Sequence, residues 1–401
     1  MRREQVSPSS AYAILIFRSM VSKKMEANLA EAAEAGAPQK SPLHERHVAA
    51  GAKFATFSGW SMPLEYAGAG VLAEHAAVRS AVGIFDVSHL GKATVAGPGA
   101  AEFVNRCLTA DLGKIGPGQA QYTLICNADG GVVDDMIAYL RSPGEVFLIP
   151  NAANCAQVVA LLAEAAPEGV EVTNHHLDFA VLAVQGSLSD EVVSTAGLPA
   201  GHDYMSFVNA HVNRTPIIVC RTGYTGERGY ELVVPANAAL QVWDTVLAAG
   251  EPYGLQTAGL GARDTLRTEM GYPLHGQDIS PTITPVQARL GWAVGWKKET
   301  FFGAEALRAE KQAGPKRLLR GLRATGRGIP RPGMVVHAPD DREVGTVTSG
   351  TYSPTLKIGI ALALIEADLG DDDVVAVDIR GRQEPFAITK PPFVTPGVRE
   401  S

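Results

Sequence analysis

From residue 92 onward, short runs of apolar and β-branched residues recur along the chain, each closed by Gly, Pro, Asn or Asp. Runs of that length and punctuation predict strands, here over 92–95, 131–139, 146–149, 180–184, 216–220 and 231–234. Between them apolar residues fall at i, i+3 and i+4, which predicts helices over 67–80, 100–108, 152–164, 238–249 and 261–270. The two kinds of element mix without a regular β-α-β alternation, so the expected class is α+β rather than a doubly wound sheet. A break falls around 301–316. Beyond it the runs at 320–323, 334–337, 344–349, 358–364, 374–379 and 384–388 are separated by turns alone, the pattern of a small all-β barrel or jelly roll. The chain therefore divides into a leader, 1–40, a mixed region, 42–300, and a C-terminal β-domain, 316–397.

The leader differs from the rest. Arg2 and Arg3 precede a seven-residue apolar stretch, 11–17, that ends at Arg18 and the Lys23–Lys24 pair. Seven residues are too few to cross a bilayer, which takes about 20, and they barely reach a signal-peptide core. A disordered or artefactual extension, with translation starting at Met20 or Met25, is the expectation; an organelle transit peptide is the alternative.

Composition narrows the function classes. Hydrophobic residues make up 46% of the 401 and charged residues 19%, which excludes a disordered chain or a coiled coil. The 42 glycines and 25 prolines fit a turn-rich protein better than a helical bundle. A net charge of −7 argues against nucleic-acid binding, which needs a basic footprint. The four cysteines, Cys107, Cys126, Cys155 and Cys220, show no C-x-x-C spacing and read as reduced thiols of a cytoplasmic protein. No histidine stands in a metal-binding context, so no metal is expected. Charge is uneven, however. From Arg289 to Arg331 there are eleven Lys/Arg against Glu299, Glu305 and Glu310, either a solvated helix and linker or a docking patch for an acidic partner.

No Gly-rich nucleotide loop, P-loop or nucleophile elbow is present. What remains is polar residues where a strand protein prefers apolar ones. Asp134 and Asp135 interrupt the strand that follows Gly130-Gly131; side chains alternate along a strand, so only one of them should face a given cavity. A partly buried carboxylate there can anchor a ligand N–H and exchange a proton with it, although a turn aspartate is the plainer alternative. Asn151 stands at a strand-to-helix junction, as a helix cap or as a ligand-facing amide. In Thr222-Gly223-Tyr224-Thr225-Gly226-Glu227-Arg228-Gly229-Tyr230-Glu231 glycines frame two aromatics and open a strand on Glu231. Tyr224 and Glu231 would suit a planar heterocycle with adjacent N–H donors. Arg263 and Arg267, at i and i+4, either clamp a carboxylate or pair with Asp264 and Glu269.

Taken together with Phe57-Ser58-Gly59-Trp60, Glu74-His75-Ala76-Ala77-Val78-Arg79, Gly83 to His89, Ala120-Gln121-Tyr122, Thr348 to Leu356 and Thr389 to Val394, these segments resemble one family: the aminomethyltransferase, or T-protein, of the glycine cleavage system. The resemblance runs from about Pro42 to Val394. It implies three domains in a cloverleaf around a central folate channel. It also implies transfer of a one-carbon unit from the aminomethyl group on lipoylated H-protein to tetrahydrofolate, with ammonia released, in functional association with P-protein and L-protein. By position, Asp135 matches the aspartate that supports attack by folate N5, Glu231 the carboxylate that holds the pterin, and Tyr122 and Asn151 pocket-lining positions. Arg263 matches a substrate-contacting arginine. The chain departs from the family at His275, where a tyrosine is usual, and in lacking a tyrosine near the C-terminus. The alternatives are a folate-dependent demethylase, another folate-binding member of the superfamily, or a non-catalytic scaffold for H-protein.

Overall fold

The computed structural model describes residues 36–398; the expectations for residues 1–35 lie outside them. The last leader residues, Gln39–Lys40, form a strand that pairs in parallel with Trp60 and Ser61 of Trp60–Tyr66, itself hairpinned to Ala52–Phe57. Behind that sheet, buried Asp86 accepts from Ser41 Oγ and meets His47 Nε2 at 2.9 Å, which fastens the incoming chain to the core.

Two larger sheets carry the mixed region. One has six strands in the order Phe207–Val212, Thr215–Cys220, Gly229–Pro235, Phe179–Gln185, Gly83–Asp86 and Gln256–Thr257, antiparallel except for the last pair. The other has five antiparallel strands in the order Gln119–Cys126, Val132–Ser142, Glu145–Ile149, Ala93–Ala96 and Glu171–Asn174. The predicted strands recur within a few residues at each end. The hairpin 52–66, Gly83–Asp86, Gln119–Cys126, Glu171–Asn174 and Phe207–Val212 are additional.

Period-two alternation sorts the side chains of both sheets. In Gly229–Pro235, Tyr230, Leu232 and Val234 enter the core shared with helices Ser189–Thr195 and Ala239–Gly250, and Val233 enters the opposite core. In Val132–Ser142, Met136, Ala138 and Leu140 pack towards helices Ala100–Cys107 and Cys155–Ala165, whereas Ile137 and Tyr139 point the other way. The second faces of both sheets share one core, which includes Phe85, Tyr139, Phe147, Ile149, Val181, Ala183 and Val233. Helices Gly70–Ser80 and Leu260–Met270 close it through Val71, Val78, Ala262 and Leu266. Glu231 lies on that inner face, paired in register with Ala183 and Cys220, and Asp135 lies on it in line with Ile137 and Tyr139.

The break at 301–316 is occupied by helix Ala304–Ala313. After it, six strands close a barrel in the order Arg317–Ala324, Ile358–Glu366, Glu343–Ser353, Val335–His337, Val374–Asp378 and Gln383–Thr389, so the C-terminal region is a barrel and not a jelly roll. Closure removes the free edges that a short antiparallel sheet would expose. Glu269, on the helix that carries Arg263 and Arg267, joins barrel to core. Its carboxylate accepts from Arg79 Nη2 at 2.7 Å and Ser353 Oγ, and it lies 2.9 Å from His75 Nε2.

Candidate active site

A cavity of about 1020 Å³ opens between the two sheets, the Arg263 helix and the barrel. Its lining includes all seven residues singled out from sequence: Tyr122, Asp135, Asn151, Tyr224, Glu231, Arg263 and Arg267. Residues spread over 146 positions of chain meet because the inner faces of both sheets and one helix converge there.

The acidic wall begins at a tight turn. Gly130 has φ of +84°, and a Cβ on Gly131 would lie 1.9 Å from the Pro281 carbonyl oxygen, so no larger residue fits that approach. Just beyond, Val132 pairs with Cys126 and Asp134 with Ile125, leaving Val133 as the extra residue of a bulge. Such bulges re-aim side chains beside functional sites. Asp134 is turned away from the cavity and fully buried; Asp135 lines it. Only one of the two carboxylates thus faces the cavity, as alternation requires.

Asn151 is not a helix cap. The helix starts later, at Cys155, and Asn151 instead bridges both acids. Its Nδ2 donates to Asp135 Oδ1 at 2.8 Å and Asp134 Oδ1 at 2.9 Å, and its backbone N–H donates to Asp134 Oδ2 at 3.0 Å. Asn154 Nδ2 adds a bond to Asp134 Oδ1 at 2.7 Å, and Tyr122 Oη donates to Asp135 Oδ2 at 3.0 Å. Among the described residues neither acid has a salt-bridge partner. Burial and the neighbouring Asp135 charge push Asp134 up to about 8, despite its N–H donors. Burial likewise raises Asp135. Two carboxylates this close and this dry retain a proton between them near neutral pH.

The opposite wall is built from Glu231, whose Oε2 accepts from Thr222 Oγ1 at 2.6 Å, with Tyr139 Oη 3.3 Å from the same hydroxyl. Tyr224 donates to the Pro273 carbonyl, and its ring lies 4.8 Å beneath the Arg263 guanidinium carbon. Arg263 Nη1 is buried with no partner among the described residues, although such groups are almost always satisfied. His89 Nδ1, on the same cavity, is likewise buried and unpartnered; burial and the nearby Arg263 charge lower that imidazole to about 3, so it stays neutral. A carboxylate beside a guanidinium with one unpartnered nitrogen can read the N–H and C=O edge of a planar heterocycle.

Arg267 is different. It is 1% exposed and spends its guanidinium on Asp264 Oδ1, Asp278 Oδ2, Ser349 Oγ and the Tyr272 carbonyl. The expected two-arginine clamp therefore reduces to Arg263. The basic stretch is also less free than its charge count implies. Arg320 bonds Asp371 and the Leu369 carbonyl, Lys298 the Leu108 and Ala110 carbonyls, and Arg331 turns inward onto the cavity. Lys316 and Arg317 remain exposed. Sequence reasoning missed Tyr139, Thr222, His89, Arg331 and Trp292 as lining residues. Trp292, 71% exposed, stacks on Tyr122 at 5.4 Å. His89 lies in a segment already quoted for the resemblance, but nothing in its spacing distinguishes it from a core histidine.

Among the described residues no cluster of His, Cys, Asp or Glu could hold a metal ion, and no helix is long and apolar enough to cross a membrane.

Comparison with known proteins agrees with this architecture. Residues 43–298 match the family profile described as the GCVT N-terminal domain, and residues 317–395 match the glycine cleavage T-protein C-terminal barrel domain. An aminomethyltransferase from Frankia alni is 64% identical over 356 residues, covering 89% of this chain and 98% of that protein. The one from Mycobacterium tuberculosis is 59% identical over 355 residues, covering 88% and 96%. The crystal structure of glycine cleavage system aminomethyltransferase T from Bartonella henselae superposes with a TM-score of 0.84 at 34% identity, covering 90% of this chain and 99% of that one. A mixed two-sheet core, a closed six-stranded barrel and this agreement along nearly the whole described chain lead to one assignment: the chain is an enzyme of the aminomethyltransferase family, the T-protein of the glycine cleavage system.

Proposed function

We propose that this enzyme takes the aminomethyl group from the lipoyl arm of H-protein and delivers its carbon to tetrahydrofolate, yielding 5,10-methylenetetrahydrofolate, ammonia and dihydrolipoyl H-protein. The methylene carbon loses its C–S and C–N bonds and gains bonds to folate N5 and N10, while the two protons leaving those nitrogens go to the departing sulfur and amine. No net oxidation occurs and no metal is required by the balance.

The observation that carries this reading is the pairing, across one cavity, of Asp135, whose carboxyl burial pushes up, with Glu231 and with Arg263, whose Nη1 has no partner among the described residues. Glu231 would accept the pterin N–H groups, Arg263 would face the ligand's acceptors, and Tyr224 and Tyr122 would flank its rings. Asp135, steadied by Tyr122 and Asn151, would manage the proton as a nitrogen attacks. Most of the remaining barrier falls to positioning, since a tethered arm and a bound folate meet as if at very high effective concentration.

Lipoylated H-protein is the proposed macromolecular substrate, P-protein and L-protein are functional associates, and the reading carries a cytoplasmic location with it. Ammonia release from aminomethyl-loaded H-protein, dependent on added tetrahydrofolate, is the test. Folate binding without ammonia release would leave a folate-binding relative or an H-protein scaffold in its place.

A further inference from the structure

The wall that carries Tyr224 and Glu231 depends on a loop with no helix or strand of its own. Residues 221–228 leave strand Thr215–Cys220 and turn back into Gly229–Pro235, so their backbone groups need partners from outside. Those partners come from distant parts of the chain. Gln185 Nε2 donates to the Thr222 carbonyl at 3.1 Å, Arg79 Nη1 to the Thr225 carbonyl at 2.6 Å, and the Gly186 N–H to the Arg228 carbonyl at 2.7 Å. The Gly226 carbonyl is served from the other end of the molecule. It accepts the Gly397 N–H at 2.7 Å, from the segment that follows the last barrel strand.

Arg221 stands at the neck of this loop. Its backbone is fixed, since its N–H donates to the Ser206 carbonyl at 2.8 Å and its carbonyl accepts the Met205 N–H at 3.1 Å. Its side chain, in a residue only 2% exposed, closes the neck through Nη1 to the Gly229 carbonyl at 3.3 Å and reaches the Val398 carbonyl through Nη2 at 3.0 Å. The guanidinium carbon lies 5.4 Å from the centre of the Tyr230 ring. Among the described residues no carboxylate pairs with it; Asp190, the nearby acid, is taken by Arg228 and Tyr230. A buried charge resting on two carbonyls and a ring keeps its place only while both carbonyls keep theirs. One belongs to the loop and the other to the C-terminal segment. That segment is anchored a second time, where the Phe393 N–H donates to the Glu269 carbonyl at 2.8 Å, and a Cβ on Gly226 would lie 2.0 Å from Met270 Sδ. Loop, C-terminal segment and the end of the Arg263 helix therefore meet at one place.

We propose that Arg221 is a positioning residue for the folate-facing wall: together with the Gly397 N–H and the Val398 carbonyl it clamps loop 221–228 to the C-terminal segment, and so sets where Thr222, Tyr224 and Glu231 meet the ligand. This rests on the reading of Tyr224 and Glu231 as the wall that holds the pterin. Arg221, Gly397 and Val398 themselves do not line the cavity. Asp135 stands on the other sheet, held by Tyr122 and Asn151, so the clamp acts on folate binding and not on the acid that handles the proton.

Two substitutions open the clamp from its two sides. Arg221→Lys keeps the charge but loses the fork that spans both carbonyls, and Gly397→Pro removes the N–H that the Gly226 carbonyl accepts. Each should raise KM for tetrahydrofolate roughly tenfold, on the order of one hydrogen bond's worth. Over the same comparison kcat at saturating tetrahydrofolate and KM for aminomethyl-loaded H-protein should stay within about twofold. A fall in kcat with KM unchanged, or no change in either, overturns the proposal. In the double variant KM should rise by less than the product of the single effects, because both open one clamp; a full product overturns it. Hydrogen exchange read by mass spectrometry follows the loop without any ligand. Amides of 222–228 should exchange faster in both variants while those of Val132–Ser142 do not, and unchanged exchange overturns the clamp. Absence of ammonia release from the unsubstituted enzyme overturns the functional reading instead, and leaves the exchange result to decide the clamp.

Discussion

Two buried acidic sites in this molecule have opposite electrostatics. Glu269, at the joint between core and barrel, is surrounded by His75, Arg79 and Ser353; burial alone would push it up, but those partners hold it at about 2. Asp134 and Asp135, at the cavity wall, have amides, a phenol and each other, with no cation in a salt bridge, and both are raised. A buried acid beside cations is fully charged at neutral pH and works as a fastener. A buried acid beside another acid keeps a proton within reach of neutral pH and is suited to chemistry.

Replacing one acid on each side gives the sharpest contrast. Asp135→Asn should retain folate binding and lower turnover by roughly 10²–10⁴-fold, the usual worth of a positioned acid or base; near-normal ammonia release in a reconstituted assay would remove Asp135 from its role. Glu269→Ala should leave the cavity's acids in place but cost about 1–3 kcal/mol, because it takes the carboxylate from buried His75 and Ser353 and leaves Arg79 with Glu227 and two backbone carbonyls. Chemical unfolding followed by tryptophan fluorescence measures that loss, and an unchanged midpoint would refute the fastener reading.

The pH dependence should separate the sites next. The Glu269 contribution is complete above the unfolded carboxylate value, about 4.3, and is lost as pH falls through about 2. Asp134 works in the other sense. Its folded form holds a proton that the unfolded chain releases near 4, so stability declines as pH rises from there through about 8. Asp134→Asn should therefore gain stability over the unsubstituted protein progressively between those two values, read as a widening difference in melting temperature. A constant difference would mean that Asp134 is ionised throughout.

The smallest effect belongs to the surface. Neutralising Lys316 and Arg317 should raise the apparent KM for H-protein roughly two- to threefold at low salt and not at high salt, since exposed charges act mainly by steering. No change at low salt would leave the basic stretch as a solvated linker. Arg320 is left out of that test because its pairing with Asp371 and the Leu369 carbonyl makes it part of the barrel.

Much of the fold was legible because alternation and Gly/Pro punctuation are local. The strand over 131–139 is visible as β-branched residues after Gly-Gly, and the barrel strands as runs between turns. The Gln119–Cys126 strand was not, because Gln119, Gln121 and Tyr122 blur its alternation until the neighbouring strand shows which face is buried. In the site, Asp135, Glu231 and Arg263 stand out as polar residues in apolar settings. Arg267 looks the same in sequence as Arg263, four residues earlier on the same helix, yet one is consumed by Asp264 and Asp278 and the other is left with an unpartnered nitrogen. The positions of Asp278, in a loop beyond the helix, and of Ser349, on a barrel strand, decide between them together with the nearby Asp264.

The sequence by itself determined the α+β class, the C-terminal barrel's strand pattern, the acidic pair and the family, since each rests on residue type and short spacing. Tertiary structure alone decided which aspartate faces the cavity, that Asn151 ties the acids together and caps no helix, and that His275 reaches Asp134 through Asn154. Those outcomes depend on hydrogen bonds between residues up to 143 positions apart, such as His275 to the Val132 carbonyl. Whether a buried polar atom meets a donor, an acceptor or nothing is set by the packing of whole sheets, which no local pattern encodes.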